Sequence, residues 1–211
     1  MKKFLKKQRE KLKQFYYRYL LKGDDFSIIS NNCWGTRTYQ KYGLQYKSPF
    51  QSLFIFAPDY IKLIENFSVD RLKIVNFIEK EDSKYYNEIN SGELKELTYP
   101  IGILEDGCEV HFQHYKSEAY AKEKWDTRVK RINPEKLLFK FSDGYLATDA
   151  LIAQFDNLEH KNKICFTAKE YPELKSVVYM NRFQKEKSVS LEWKYDKYYI
   201  SIHKFINENL Y

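Results

Sequence analysis

The sequence predicts an α/β fold, and three observations carry that prediction. Short runs rich in β-branched and aromatic residues alternate with segments of helical periodicity, the rhythm of a sheet with crossover helices. Residues 137–141, 147–158 and 163–167 read as strand, helix and strand, the clearest βαβ unit in the chain. Hydrophobic residues make up 43% of the 211 and charged residues 31%, which suits one packed domain and argues against general disorder.

Each element has its own reason. The opening segment, residues 1–22, contains no helix breaker. Its Leu5, Leu12, Tyr16, Tyr19 and Leu20 fall on one side of a 3.6-residue helix, widened by Phe4 and Phe15. Most of its lysines and Arg18 lie opposite; Arg9 falls within the stripe, while Tyr17 and Leu21 fall outside it. Gly23-Asp24-Asp25 ends it, so residues 1–22 form a basic amphipathic helix ahead of a single α/β domain, residues 23–211. Residues 26–30 read as a first strand and 32–42 as the turn and helix after it. Residues 52–56 (SLFIF) read as a second strand, apolar enough for burial on both faces. Pro58 and Asp59 suit the first turn of the next helix. Residues 71–78 read as a further strand and the hydrophilic stretch 79–96 as a loop or frayed helix. Residues 99–104 and 109–115 flank Glu105-Asp106-Gly107, a hairpin turn that gives the sheet an antiparallel element. Ser117 starts a helix whose Ala121, Trp125, Val129 and Ile132 repeat at helical spacing. Residues 177–180 continue the pattern, and 188–211 show no clean period.

The formal charge of +7 is unevenly placed. Residues 1–22 hold nine Lys or Arg against Glu10, whereas the rest holds 27 basic and 28 acidic residues. A nearly neutral body lacks a phosphate-neutralising face, so nucleic acid is not an expected partner. The basic helix has two readings. It lies on an anionic membrane surface, or its apolar stripe packs on its own domain. No apolar run reaches membrane-spanning length and the first thirty residues lack the apolar core of a secretory signal, so a cytoplasmic location is expected, peripheral at the inner membrane. Cys33, Cys108 and Cys165 fit no zinc or disulfide framework and read as reduced thiols.

Several blocks read together as familiar: FSIISNNCWGTRTYQ, SPFQSLFIFAPDYIKL, YPIGIL, EVHFQHYKSEAYAKEKWDTRVKRIN and KICFTAKEYPELKSVVY. Over residues 26–183 they resemble a bacterial family of domains of unknown function often described as exopolysaccharide-biosynthesis proteins. The resemblance implies a three-layer α/β/α fold with a mixed, mostly parallel sheet. It also implies a setting in capsule, exopolysaccharide or surface-glycan assembly, and it transfers no catalytic residue.

In open α/β sheets, ligands bind beyond the carboxyl ends of the strands. The residues that follow the predicted strands are therefore the candidate site. Asn31, Asn32 and Trp34 follow the first strand, Asp59 the second, Ser142 and Asp143 the strand at 137–141, and Thr167 and Lys169 the strand at 163–167. Asn31, Asn32, Trp34, Thr167 and Lys169 suit substrate binding: amides for sugar hydroxyls, an indole for stacking and a lysine for phosphate. Asp59, Asp143 and His111 are the candidate acids or bases. The same residue types are also ordinary helix N-caps. Cys33 stands near a helix N-terminus, where a thiol pKa falls, but no partner histidine can be assigned, and a plain buried cysteine is favoured. His111 and His114, three apart on one strand, point to opposite faces and cannot share an ion without a bulge. No metal is expected, nor a cofactor: the sequence has no G-x-G-x-x-G, P-loop, G-x-S-x-G or H-E-x-x-H. The expected function is a component of bacterial surface or extracellular polysaccharide biosynthesis, a transferase acting on an activated or phosphorylated sugar. The alternative is a non-catalytic glycan-binding or assembly module at the inner membrane surface.

Overall fold

The computed structural model describes residues 2–91 and 94–211. Along the chain, α1 (Lys2–Tyr19), β1 (Ser27–Ser30), α2 (Trp34–Tyr42) and α3 (Ala57–Glu65) lead to the antiparallel part. That part comprises β2 (Ile74–Ile78), the single-turn α4 (Tyr86–Ile89), β3 (Ile101–Leu104) and β4 (Glu109–His111). Then follow α5 (Glu118–Val129), β5 (Leu137–Ser142), α6 (Asp149–Asn157), β6 (Lys163–Thr167), β7 (Val177–Tyr179) and α7 (Ile202–Leu210).

The main sheet has the order β1-β5-β6-β7 with every neighbour parallel. Strands β1, β5 and β6 are buried on both faces, the edge strand β7 is half-buried, and alternate residues enter different layers. Ile29, Phe139, Phe141 and Cys165 pack with Tyr60 and Ile64 of α3, Trp125 of α5 and Phe155 of α6. Ile28, Leu138, Ile164 and Phe166 pack on the other side with Trp34 and Tyr39 of α2 and Ile202, Ile206 and Leu210 of α7. The fold is α/β, with helices on both faces of a parallel sheet. Ser117 caps α5 by accepting the Tyr120 amide, and Thr148 caps α6 by accepting that of Leu151.

The expected antiparallel element forms a separate three-stranded sheet, β2-β3-β4, instead of joining the main one. Its hairpin closes as expected at Gly107, which takes φ +80° while Asp106 accepts the Cys108 amide. Residues 52–56 are not a strand. Phe54 exchanges two backbone hydrogen bonds of 3.0 Å with His111 of β4, and the Ile55 amide donates to the Asn31 carbonyl at the end of β1. The segment spends one residue on each sheet, so no ladder can propagate, and Ser52 at φ 58° interrupts it further. Of residues 71–78 only Ile74–Ile78 is strand, in the smaller sheet. The stretch 79–96 contains α4 and a short 3-10 turn, with Gly92 and Glu93 outside the described residues. Residues 188–211, which show no clean period in the sequence, form two 3-10 turns and α7.

Helix α1 packs on α2, but not through its apolar stripe. Gln14 donates to the Gln40 carbonyl at 2.9 Å, and Tyr17 meets Tyr42 edge-on. Gly43, left-handed at φ +63°, ends α2 where a Cβ would lie 3.1 Å from Gln14. Tyr17 and Leu21, outside the stripe read from the sequence, are the residues that reach the core. Leu5, Leu12, Tyr16 and Tyr19 are exposed.

His111 sits where the two sheets meet. It is fully buried, stacked on Phe54 at 4.7 Å, and ringed by Phe56, Tyr85 and Tyr99. Neither ring nitrogen makes a full hydrogen bond; Nε2 lies 3.5 Å from Glu109. Burial pushes the imidazole pKa down against the pull of Glu109 and Asp59, so His111 is neutral in the fold. The unfolded chain takes up this proton below about pH 6.5, which the folded chain resists; the stabilising contribution is present above that pH and lost as pH falls through it. Thermal melts between pH 7.5 and 5.5 should show stability falling with a slope of up to about 1.4 kcal/mol per pH unit from this group. His111→Phe should flatten that slope, and an unchanged slope would contradict a neutral buried His111.

Candidate functional site

The carboxyl edge of the parallel sheet gathers residues from β1, β5 and β6 because parallel strands end on the same side. Its centre is Lys140, a fully buried lysine in the most central run of the sheet. Its ammonium has three protons and finds three acceptors: Asn32 Oδ1 at 2.9 Å, Ser142 Oγ at 3.0 Å and the Glu192 carboxylate. Asn32 in turn donates to Ser142 Oγ at 3.0 Å and Glu192 Oε1 at 2.7 Å, and accepts the Trp34 amide at the start of α2. Burial pushes the Lys140 pKa down and the Glu192 charge pulls it back up.

Around this closed network stand the groups that keep some capacity. Asn31 is buried beside Ser142; its Oδ1 is 3.4 Å from the Ser142 hydroxyl, and its Nδ2 has no protein partner. Asp143 accepts the amides of Ala168 and Val189, at 2.5 and 2.8 Å, one on each oxygen. Burial raises its carboxyl pKa, against the lowering by those two amides. The Thr167 hydroxyl donates to the Lys169 carbonyl at 2.7 Å. Asn31, Asn32, Asp143 and Thr167 therefore share one edge, as the topology demands.

The other sequence candidates go elsewhere. Trp34 is buried against Phe166 and donates its indole N–H to Asp196 at 3.1 Å, so its ring offers no face for stacking. The Lys169 ammonium follows β6 but turns out to the surface, where it pairs with Asp149, a residue that Tyr171 also reaches. Asp59 does not follow a strand. It opens α3 beside the smaller sheet, accepting Lys84 Nζ and the Glu109 amide, both at 2.7 Å. There it belongs with Glu109, which burial would push up but whose pKa is held down by the nearby His111 ring and by the hydrogen bonds it accepts from the Ser83 hydroxyl and the Lys84 amide. His111 is enclosed at that same junction. His114 is exposed instead, so the two histidines do not converge. Cys33 stands at the N-cap of α2, but its thiol makes no capping bond and donates instead to the Leu53 carbonyl at 3.9 Å, and burial pushes the thiol up to about 11, opposite to the lowering that a helix N-terminus favours.

Backbone strain concentrates beside this edge. Tyr145 and Leu146 take φ of 56° and 66° just after Asp143, and Leu191 takes 48° immediately before Glu192. Left-handed backbone costs a non-glycine residue roughly 1–2 kcal/mol, so the surrounding contacts must hold these turns in place. Next to the Glu192 segment a groove of ≈ 660 Å³ opens between α1 and α2, lined among others by Tyr17, Arg37, Lys41, Trp193 and Asp196. Arg37 lies over the Trp193 ring at 5.6 Å.

Sequence reasoning missed Lys140, Glu192 and Asp196. A lysine inside the apolar run LLFKFS is a visible signal, because only a paired ammonium survives there. Glu192 carries none: it lies 160 residues from Asn32 in a stretch without periodicity.

The chain matches the family described as Domain of unknown function (DUF1919) over residues 3–209. That span is wider than the 26–183 of the sequence blocks and takes in both α1 and the segment bearing Glu192. An uncharacterised protein of Haemophilus influenzae is 32% identical over 184 residues, covering 85% of this chain and 82% of that protein. With nearly its whole length matched, this chain belongs to the DUF1919 family.

Proposed function

We infer that the carboxyl edge of the parallel sheet recognises a hydroxyl-rich, activated or phosphorylated sugar, and that the protein serves bacterial surface or extracellular polysaccharide biosynthesis. The observation that carries the recognition step is Asn31: a buried amide donor left without a protein partner at the edge where α/β sheets take ligands. The polysaccharide setting rests on the resemblance of the sequence blocks. Asp143 is the candidate base of a transferase, since each of its oxygens retains a lone pair and burial raises its pKa toward the working range.

A second reading, a non-catalytic glycan-binding or assembly module, is favoured by one specific observation. Lys140, Asn32, Ser142 and Glu192 satisfy one another and leave no titratable group of that network facing outward. Under this reading the network only supports a recognition surface.

A thermal-shift screen against nucleotide sugars and sugar phosphates tests recognition. At ligand concentrations near a hundred times Kd, melting should rise by roughly 5–10 °C. Asn31→Ala should remove the shift, because it takes away the unpartnered donor at the edge, whereas Lys169→Ala should leave both the ligand-free melt and the shift almost unchanged, because its exposed ion pair with Asp149 lies away from that edge. If no such ligand stabilises the protein, the sugar reading fails. The supporting role of the network predicts strong coupling. Lys140→Met and Glu192→Gln should each cost about 3–5 kcal/mol in urea unfolding by stranding the other charge. The double variant should cost clearly less than their sum, and additive losses would show that the two groups do not act as a pair.

A further inference from the structure

Helix α1 faces the domain with one side and solvent with the other, and the side it turns outward is its apolar one. Phe4, Leu5, Leu12, Phe15, Tyr16 and Tyr19 are six of the fourteen large hydrophobic side chains that stand exposed among the described residues. The remaining eight are scattered over other elements. Leu12 is 69% exposed, Phe15 74% and Tyr19 81%, values that leave these rings and branches almost wholly in water. At 3.6 residues per turn these six share one stripe, roughly opposite the face where Gln14 and Tyr17 meet α2. Exposed cations border the stripe: Lys7 and Lys11 along one side, Arg9 along the other. Residues 1–22 carry nine basic residues against one acid, whereas the body is nearly neutral.

We propose that this outward face of α1 lies on an anionic lipid bilayer, with the domain held on the side away from the lipid. Charge complementarity selects this occupant: the stripe supplies insertion, and the flanking cations supply attraction to anionic headgroups. A polyanion such as nucleic acid would use the cations but leave the six apolar side chains in water. No described helix is long and apolar enough to cross a membrane, which fits a helix lying in the interface plane. The packing of Gln14 and Tyr17 keeps α1 fixed to α2, so the helix docks as part of the fold. The groove lined by Tyr17, Arg37 and Trp193 is then held close to the membrane surface.

The test is co-sedimentation of the full chain with phosphatidylcholine vesicles, with and without phosphatidylglycerol. The wild-type protein should bind the phosphatidylglycerol vesicles and largely ignore pure phosphatidylcholine. Replacing Leu12, Phe15 and Tyr19 together by Gln should weaken that binding by at least about tenfold. Replacing Lys7, Arg9 and Lys11 by Gln should weaken it by roughly fivefold per charge. All six side chains point away from the core, so unchanged melting temperatures confirm that the variants fold. The proposal is overturned if the wild-type protein does not bind anionic vesicles, or if binding survives loss of the three apolar side chains. It is also overturned if light scattering finds a wild-type dimer that the apolar variant converts to monomer, which would assign the face to a second copy. The readout is lipid binding alone, so its failure leaves sugar recognition at the sheet edge untouched.

Discussion

A single buried charge organises much of this structure. An ammonium taken from water into the middle of a parallel sheet costs several kcal/mol even after relaxation, and that cost is offset only if all its protons find well-placed acceptors. Lys140 finds them in Asn32 from the end of β1, Ser142 two residues along its own strand, and Glu192 from the far end of the chain. Glu192 can reach it only if the segment after β7 folds back over the sheet's carboxyl edge, and left-handed Leu191 makes the final turn. Asp196, four residues on, then meets Trp34 and Lys41 and fastens α2 to the same segment. One charge requirement thereby draws β1, α2 and the C-terminal layer around β5.

The smaller sheet repeats this logic with different groups. Asp59, Lys84, Glu109 and Ser83 form a second polar cluster, with His111 among aromatic rings beside it. Residues 52–56 link the two halves, giving one backbone contact to β4 and another to β1. Candidate chemistry that looked like one constellation is thus divided. The edge of the parallel sheet keeps Asn31, Asn32, Asp143 and Thr167, and the junction keeps Asp59 and His111. This division follows from strand count: residues 52–56 would have to extend the main sheet for Asp59 to share its rim.

The outer layer obeys a different balance. Helix α1 contributes only a narrow face to the domain, through Gln14, Tyr17 and the chain turning at Leu21, while its broad stripe remains outside. Amphipathicity alone says that such a helix has an apolar side. Which side meets the body depends on what the body offers, and here Gly43 provides the close approach that admits Gln14.

The residues by themselves determine the α/β class, the βαβ unit of β5, α6 and β6, the hairpin at Gly107, the cap at Ser117, and the excess of charge in residues 1–22. These are local consequences of periodicity, turn chemistry and capping, legible within a window of a dozen residues. Part of the candidate site was legible for the same reason: parallel strands bring whatever follows them to one edge, so Asn31, Asn32, Asp143 and Thr167 could be named in advance. Only the tertiary structure decides that SLFIF is a link, that the hairpin joins a second sheet, and that Trp34 is buried while the stripe of α1 is not. It also decides that Lys140 finds Glu192. Those outcomes turn on competition between surfaces and on partners up to 160 residues apart, and no local pattern encodes which partner wins.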